Sequence, residues 1–174
     1  MGIRYYAYAF DSDQTGNALA DPLTVIGSDP LADVLGLEPG FTQGFTDFRQ
    51  SLPERDLLYL DKAWPYLQRV TASHSSGAGA RAAYRMFEGW VTYTDHGCTW
   101  RPWVRALPPH EVALISRDLE TISDHDLEAD LDRSCSSRQA LESELAYAAP
   151  FLHRAKVFAH AVASEGRGFA YIIG

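Results

Sequence analysis

Cysteine is scarce in this sequence, and so are long apolar runs. Only Cys98 and Cys135 occur, far apart and in no C-x-x-C pair. A small secreted domain normally carries several paired cysteines. The chain also starts directly with a strand-like segment instead of the apolar stretch of a secretory leader. No apolar run approaches the roughly 20 residues that span a bilayer. We therefore expect a cytoplasmic protein with no membrane partner.

Positive charge is scarce as well. The sequence has 15 Lys and Arg residues against 23 Asp and Glu, which gives a formal net charge of -8. Lys62 and Lys156 are the only lysines, and the arginines are scattered rather than clustered. Affinity for a phosphate backbone needs clustered basic residues, so we expect no nucleic-acid partner. The preference for arginine over lysine, with frequent alanine, is typical of proteins from GC-rich bacterial genomes.

What the sequence does have is enough apolar material for one folded domain. Its 174 residues are 46% hydrophobic and 12% aromatic, which excludes an intrinsically disordered chain. Segments 3–10, 103–107 and 168–173 are apolar enough for strands, the first and last of them covered on both faces. The sequence therefore predicts a single α+β domain over 1–174. Its small antiparallel or mixed sheet of about three strands includes both chain termini and is covered by several helices.

Helices are predicted mainly in the second half. An apolar stripe at helical spacing indicates a helix over 110–122, and Ser123 with Asp126 is typical of the capped start of the next helix. A similar signature at 136–139 precedes a long helical pattern in which Pro150 is expected to break the helix or to open a new one. In the first half, segment 57–70 is predicted to be a helix opened by Asp61 as its N-cap.

Four stretches carry a resemblance to a known family. They are the opening Met1-Gly2 before an aromatic strand, residues 60–64 (LDKAW), the run from 107 to 127, and the closing 170–174 (AYIIG). The whole chain resembles the YfbM-like family, bacterial proteins that carry a domain of unknown function. The family usually continues with Leu-Thr-Gly after the LDKAW helix, whereas this chain has Val70-Thr71-Ala72. The resemblance implies an α+β fold and supplies no catalytic residues.

Asp61 and Trp64 are the first candidates for a site. They can stand at a pocket mouth, where the acid orients a polar ligand and the indole stacks on it. The competing interpretation is that Asp61 is an N-cap and Trp64 a core residue. We favour this one because caps and buried aromatics are the commoner roles. A hydrolase-like site assembled from Asp61, His74 and Arg101 is the enzymatic alternative.

The second candidate is an aromatic-rich stretch with Trp90, Tyr93, Trp100 and Trp103, next to Arg101. Large rings beside arginine are typical of interaction hot spots. The competing interpretation, which we favour on the usual burial of tryptophan, places most of these rings in the core. If two or more of the rings share one exposed apolar patch of a few hundred Å2, an interaction surface becomes the leading hypothesis.

Cofactor motifs are weak throughout. Residues 77–82 (GAGARA) match a dinucleotide turn, but no apolar strand leads into them. His74, Asp95, His96 and Cys98 have no spacing typical of a metal site. We expect no cofactor and no metal. Since no motif specifies a reaction, the preferred hypothesis is a non-enzymatic module that binds a protein or a small molecule, and the alternative is the hydrolase-like enzyme.

Overall fold

Four antiparallel strands form the central sheet. In the computed structural model the described residues are 2–37, 49–72, 80–94 and 99–174. The sheet contains β1 (Tyr5–Phe10), β2 (Leu57–Asp61), β5 (Trp103–Leu107) and β6 (Gly168–Ile173), in the order β2-β1-β6-β5. A separate hairpin pairs β3 (Thr92–Tyr93) with β4 (Trp100–Arg101). The α+β class and the sheet built from both ends of the chain are confirmed, with four strands in place of about three.

The helices cover this sheet. They are α1 (Thr15–Ala20), α2 (Pro30–Leu35), α3 (Trp64–Ala72), α4 (Tyr84–Phe87), α5 (Pro109–Glu120), α6 (Asp124–Asp132) and α7 (Arg138–Ser164), with single 3₁₀ turns at Ser12–Gln14 and Pro22–Thr24. The predicted cap at Ser123 is confirmed, since its side chain accepts from the N–H of Asp126. The second cap is displaced by one residue from the predicted 136–139 signature: Ser137, not Ser136, caps α7 by accepting from the N–H of Ala140.

The main core lies between the sheet and helices α3 to α7. Alternate residues of the strands face these helices, among them Tyr5, Leu60, Phe169 and Tyr171, all fully buried. Phe158 of α7 meets Phe169 edge-on, with ring centroids 5.4 Å apart. Burial of such large rings supplies most of the driving force for folding.

The opposite face of the sheet has a smaller apolar layer. Phe10 and Ala170 pack with Ala18 of α1, and Tyr6 and Tyr8 pack with Leu57. The Tyr8 hydroxyl also donates to Asp33 Oδ2 of α2 over 2.7 Å. Because both faces are covered, the two inner strands β1 and β6 are apolar at nearly every position, as the sequence predicts.

Two predictions about helices are wrong. Segment 57–70 is not one helix: its first part is strand β2, which pairs with β1, and the helix begins only at Trp64. Asp61 therefore ends a strand and does not cap α3. Pro150 neither breaks nor opens a helix, since it lies inside the 27-residue α7. Buried Ala148 and Leu152 on either side of it hold the helix against the core despite the missing backbone N–H.

Candidate functional site

Asp61 stands where the chain turns from β2 into α3. Its φ of 45° makes it the sole non-glycine residue of the described chain with a positive φ. Aspartate tolerates this left-handed conformation better than most residues, whereas alanine is strained there. The left-handed backbone conformation therefore explains an aspartate at this position without any role in helix capping.

The Asp61 carboxylate accepts hydrogen bonds from three side chains. Arg4 Nε donates to Oδ1 over 3.0 Å, and the Tyr59 hydroxyl donates to the same oxygen over 2.8 Å. The Tyr147 hydroxyl donates to Oδ2 over 3.0 Å. Since Arg4 precedes β1 and Tyr147 lies on α7, this cluster, the Asp61 network, joins β2 to the N-terminal segment and to the longest helix.

The Asp61 network also sets the charge of the carboxylate. Desolvation is the largest single influence on its pKa and acts to raise it, but the hydrogen bonds from Tyr59, Tyr147 and Arg4 together outweigh it, so the pKa of Asp61 is lowered. Burial of the Tyr59 side chain and its hydrogen bond to Asp61 raise the pKa of Tyr59. An ionised carboxylate with three donors is poorly suited to take up a proton as a general base.

A cavity of about 910 Å³ opens beside the outer edge of β2. Strand β2 has a single neighbour, β1, so the space next to its other edge is not filled by a further strand of the described sheet. The described lining residues come from three parts of the chain: strand residues Leu57, Leu58 and Tyr59; α7 residues His153, Arg154 and Val157; and, from α2 and the 49–54 segment, Val34, Leu35, Arg49, Gln50, Leu52, Pro53 and Glu54. We call this space the β2-edge cavity.

The lining of the β2-edge cavity is mainly apolar. Val157 remains 49% exposed and Leu52 38% exposed, although both are aliphatic. Gln50 uses its Nε2 to donate to the carbonyl oxygens of Leu52 and Leu57, over 2.8 and 3.2 Å. The Gln50 side chain therefore ties the 49–54 segment to β2 and satisfies one backbone acceptor of that strand.

The described lining of the cavity includes two basic residues and one acidic residue. These are Arg49, Arg154 and Glu54, and His153 lies next to Arg154 in the chain. The Arg154 guanidinium lies over the Phe151 ring, 5.6 Å from its centroid. Such a cation–π contact holds the guanidinium in place while leaving its N–H groups able to donate.

The four rings of the aromatic-rich stretch are not core residues, contrary to the interpretation favoured from the sequence. Trp90 is 65% exposed, Tyr93 61% and Trp103 37%, and Trp100 is half-buried. Tyr93 and Trp100 are directly paired across the β3–β4 hairpin, which lies outside the four-stranded sheet and so escapes its helical cover. We call these four rings the aromatic surface.

Glycine 89 links the aromatic surface to the core. Its φ is 127°, and a Cβ added there would lie 2.3 Å from Cδ1 of Trp103, so the Trp103 indole packs directly on this glycine. Next to it in the chain, Trp90 contacts the buried Trp64 edge-on at 5.8 Å between centroids. The expectation that Trp64 is a core residue is confirmed, since it is 4% exposed.

The structure describes two of the three residues of the hydrolase-like set. Asp61 lies at the end of β2, whereas Arg101 is exposed on β4 in the separate hairpin. His74 lies outside the described residues, as do the metal candidates Asp95, His96 and Cys98 and the glycines of the 77–82 motif. Within the ranges that are described, no three His, Cys, Asp or Glu side chains are grouped to hold a metal ion.

Sequence reasoning missed the β2-edge cavity altogether. One face of α7 carries residues within about one helical turn of each other: His153, Arg154 and Val157. The sequence does not identify this face as a cavity wall, because that role depends on β2 being an edge strand. The signal in the sequence is Val157, an aliphatic residue that falls outside the apolar stripe of this helix and was therefore a candidate for an exposed position.

Comparison with known proteins bears on the fold. No family model matches the sequence, and no curated protein matches it. The structure is similar to the crystal structure of YfbM from Escherichia coli, a protein of unknown function. That similarity has a TM-score of 0.57 at 16% sequence identity and covers 99% of this chain and 100% of that chain. The chain thus has a YfbM-like fold. No described helix is long and apolar enough to cross a membrane.

Proposed function

We propose that this chain is a non-enzymatic module that binds a small molecule in the β2-edge cavity. The observation that carries the proposal is the cavity itself, about 910 Å³ between an edge strand and a long helix. Ligand sites typically measure about 300–1,000 Å³ and have apolar walls with a few polar groups, as this cavity does.

The state of Asp61 favours binding over catalysis. Its carboxylate is ionised and occupied by Arg4, Tyr59 and Tyr147, and Arg101 of the hydrolase-like alternative lies on the separate β3–β4 hairpin. The Asp61 network instead supports a binding site, because Tyr59 both lines the cavity and is held by Asp61. A wall fixed in this way needs little reordering when a ligand binds.

Filling the cavity tests the proposal. We expect small-molecule hits from an NMR-detected screen to shift the amide signals of 57–59 and 153–157. Val157→Trp places an indole in the cavity and should abolish these shifts. Leu114→Trp is the matched control, because Leu114 is also an exposed aliphatic residue of a helix (54% exposed) but lies outside the cavity. Hits that bind Val157→Trp as well as the wild type would contradict the proposal.

A second candidate function rests on the aromatic surface. Exposure of Trp90, Tyr93 and Trp103 beside Arg101 favours a protein partner, since such rings bury much area at low entropic cost. A second copy of the chain is the partner we propose, because most soluble oligomers are symmetric homo-oligomers. Sedimentation velocity over a range of concentrations should then show a dimer that Trp90→Ser with Tyr93→Ser dissociates. A wild type that stays monomeric at every concentration would contradict it.

Family and compartment are part of the same proposal. We infer that the whole chain, as one domain, belongs to the YfbM-like family of bacterial proteins. The LDKAW stretch and the full-length structural similarity support this. Low cysteine content supports a cytoplasmic location, and the net charge of -8 supports partners other than nucleic acid.

A further inference from the structure

We propose that the β2-edge cavity selects an amphipathic anion, with its carboxylate or phosphate headgroup at Arg154 and its apolar body against Leu52 and Val157. This inference rests on the proposed function, since it names the ligand class of the same cavity. Three independent features of the cavity lead to it: the sign of its charge, the state of Arg154 and the exposed aliphatic side chains.

The charge of the lining is opposite to that of the protein. The chain carries 23 acidic residues against 15 basic ones, so an average patch of its surface is acidic. The β2-edge cavity instead has two basic residues, Arg49 and Arg154, against one acidic residue, Glu54, among its described lining residues. A local cationic site on an acidic protein attracts anions and discriminates against cations.

Arg154 differs from most arginines of this chain. Nine others pair with carboxylates, such as Arg81 with Asp118 at 2.8 Å and Arg167 with Asp56 at 2.7 Å. Arg154 has no ion pair or hydrogen bond to any residue that the structure describes, and its guanidinium lies over the Phe151 ring. Its planar guanidinium is therefore positioned and can donate to a carboxylate or phosphate through two parallel N–H groups.

Aliphatic side chains next to Arg154 provide the apolar half of the site. Val157 lies one helical turn from His153, and it lines the cavity together with Leu52. A bound alkyl chain would cover Val157 and Leu52, which are otherwise exposed to water. An extended peptide added to β2 as a fifth strand fits less well, because Gln50 already occupies the Leu57 carbonyl.

Ligands that differ only in their headgroup test the inference. Decanoate, decyl phosphate and decanol are titrated by calorimetry, each below its critical micelle concentration, into the wild type, Arg154→Ala, Arg154→Gln and Arg117→Ala. We expect decanoate or decyl phosphate to bind at least about tenfold more tightly than decanol, the least that one charge-assisted hydrogen bond provides. The tighter of the two anions identifies the headgroup.

The arginine variants locate the effect. Both Arg154 substitutions should remove the preference for the anion and leave decanol binding unchanged. Arg117→Ala should have no effect, since Arg117 is an exposed α5 arginine outside the cavity. Equal affinity for decanol and the anions, with all binding abolished by Val157→Trp, would overturn the anion inference and leave the proposed function standing. Anion binding that is unchanged in Val157→Trp would overturn both.

Discussion

Replacing Asp61 by alanine, asparagine or glycine separates the two roles of this residue at the end of β2. One role is the carboxylate, which accepts hydrogen bonds from Arg4, Tyr59 and Tyr147. The other is the backbone, whose φ of 45° strains residues other than Gly, Asn and Asp. Alanine removes the carboxylate and retains the strain, glycine removes both, and asparagine retains an oxygen acceptor without the charge.

The expected losses in the free energy of unfolding follow from these roles. A hydrogen bond to a charged group contributes about 1.5–3 kcal/mol, but the three bonds at Asp61 share one carboxylate and its side chain is 29% exposed, so their sum is discounted. We expect Asp61→Ala to lose about 3–4 kcal/mol, including about 1 kcal/mol of backbone strain. Asp61→Asn should lose about 1–2 kcal/mol. Asp61→Gly should be no less stable than Asp61→Ala, the reverse of their usual order in a strand.

The pH dependence gives the sign of the charge effect. The pKa of Asp61 is lower in the folded protein than its usual value, which is about 3.9 in an unfolded chain. The stabilisation is therefore fully present above the unfolded pKa and is lost as the pH falls through the folded pKa. Asp61→Asn should show a shallower decline of stability with acidification below about pH 5 than the wild type.

Urea unfolding at several pH values measures both effects. Asp132→Ala is the control, because Asp132 is exposed at the end of α6 and should change stability by less than about 0.5 kcal/mol. An Asp61→Ala protein as stable as the wild type, or more stable, would refute the network and point to strain retained for function. An unchanged acid profile in Asp61→Asn would refute the contribution of the charge.

Two further predictions concern packing. Gly89→Ala should destabilise the protein by about 2–3 kcal/mol in thermal or urea unfolding, because its Cβ would meet the Trp103 indole at a φ of 127°. Gly166→Ala, with a φ of 66° but open space around it, should cost only about 1 kcal/mol, and equal losses would contradict the packing argument. Deleting 168–174 should abolish cooperative unfolding, since β6 pairs with both β1 and β5; a truncated protein that melts like the full chain would contradict this.

The sequence predicts the fold well where a pattern has one interpretation. Strands β1 and β6 are apolar at both parities, and the stripe through Val112 and Ile115 fits only a helix. Residues 57–61 (LLYLD) fit a strand or a buried helix equally well, and pairing with β1 decides between them. Pro150 is misjudged because local chemistry favours a break, while core packing on both sides maintains α7.

The candidate site was less predictable. Asp61 stands out in the sequence, but its partners Arg4 and Tyr147 lie far from it along the chain, so its role depends on the tertiary structure. The β2-edge cavity likewise combines the 49–54 segment, β2 and α7, which no local pattern relates. The aromatic surface was misassigned because strand alternation predicts burial only when a second layer covers the strand.

The location of a heavy-atom ligand tests the central claim most directly. Crystals of the full chain grown with decanoate carrying a terminal bromine, above its measured Kd, would place the bromine by anomalous scattering. We predict a bromine peak between Leu52 and Val157, with the carboxylate density at Arg154. A peak on the aromatic surface, or no peak in the β2-edge cavity, would contradict the assignment of this cavity as the ligand site.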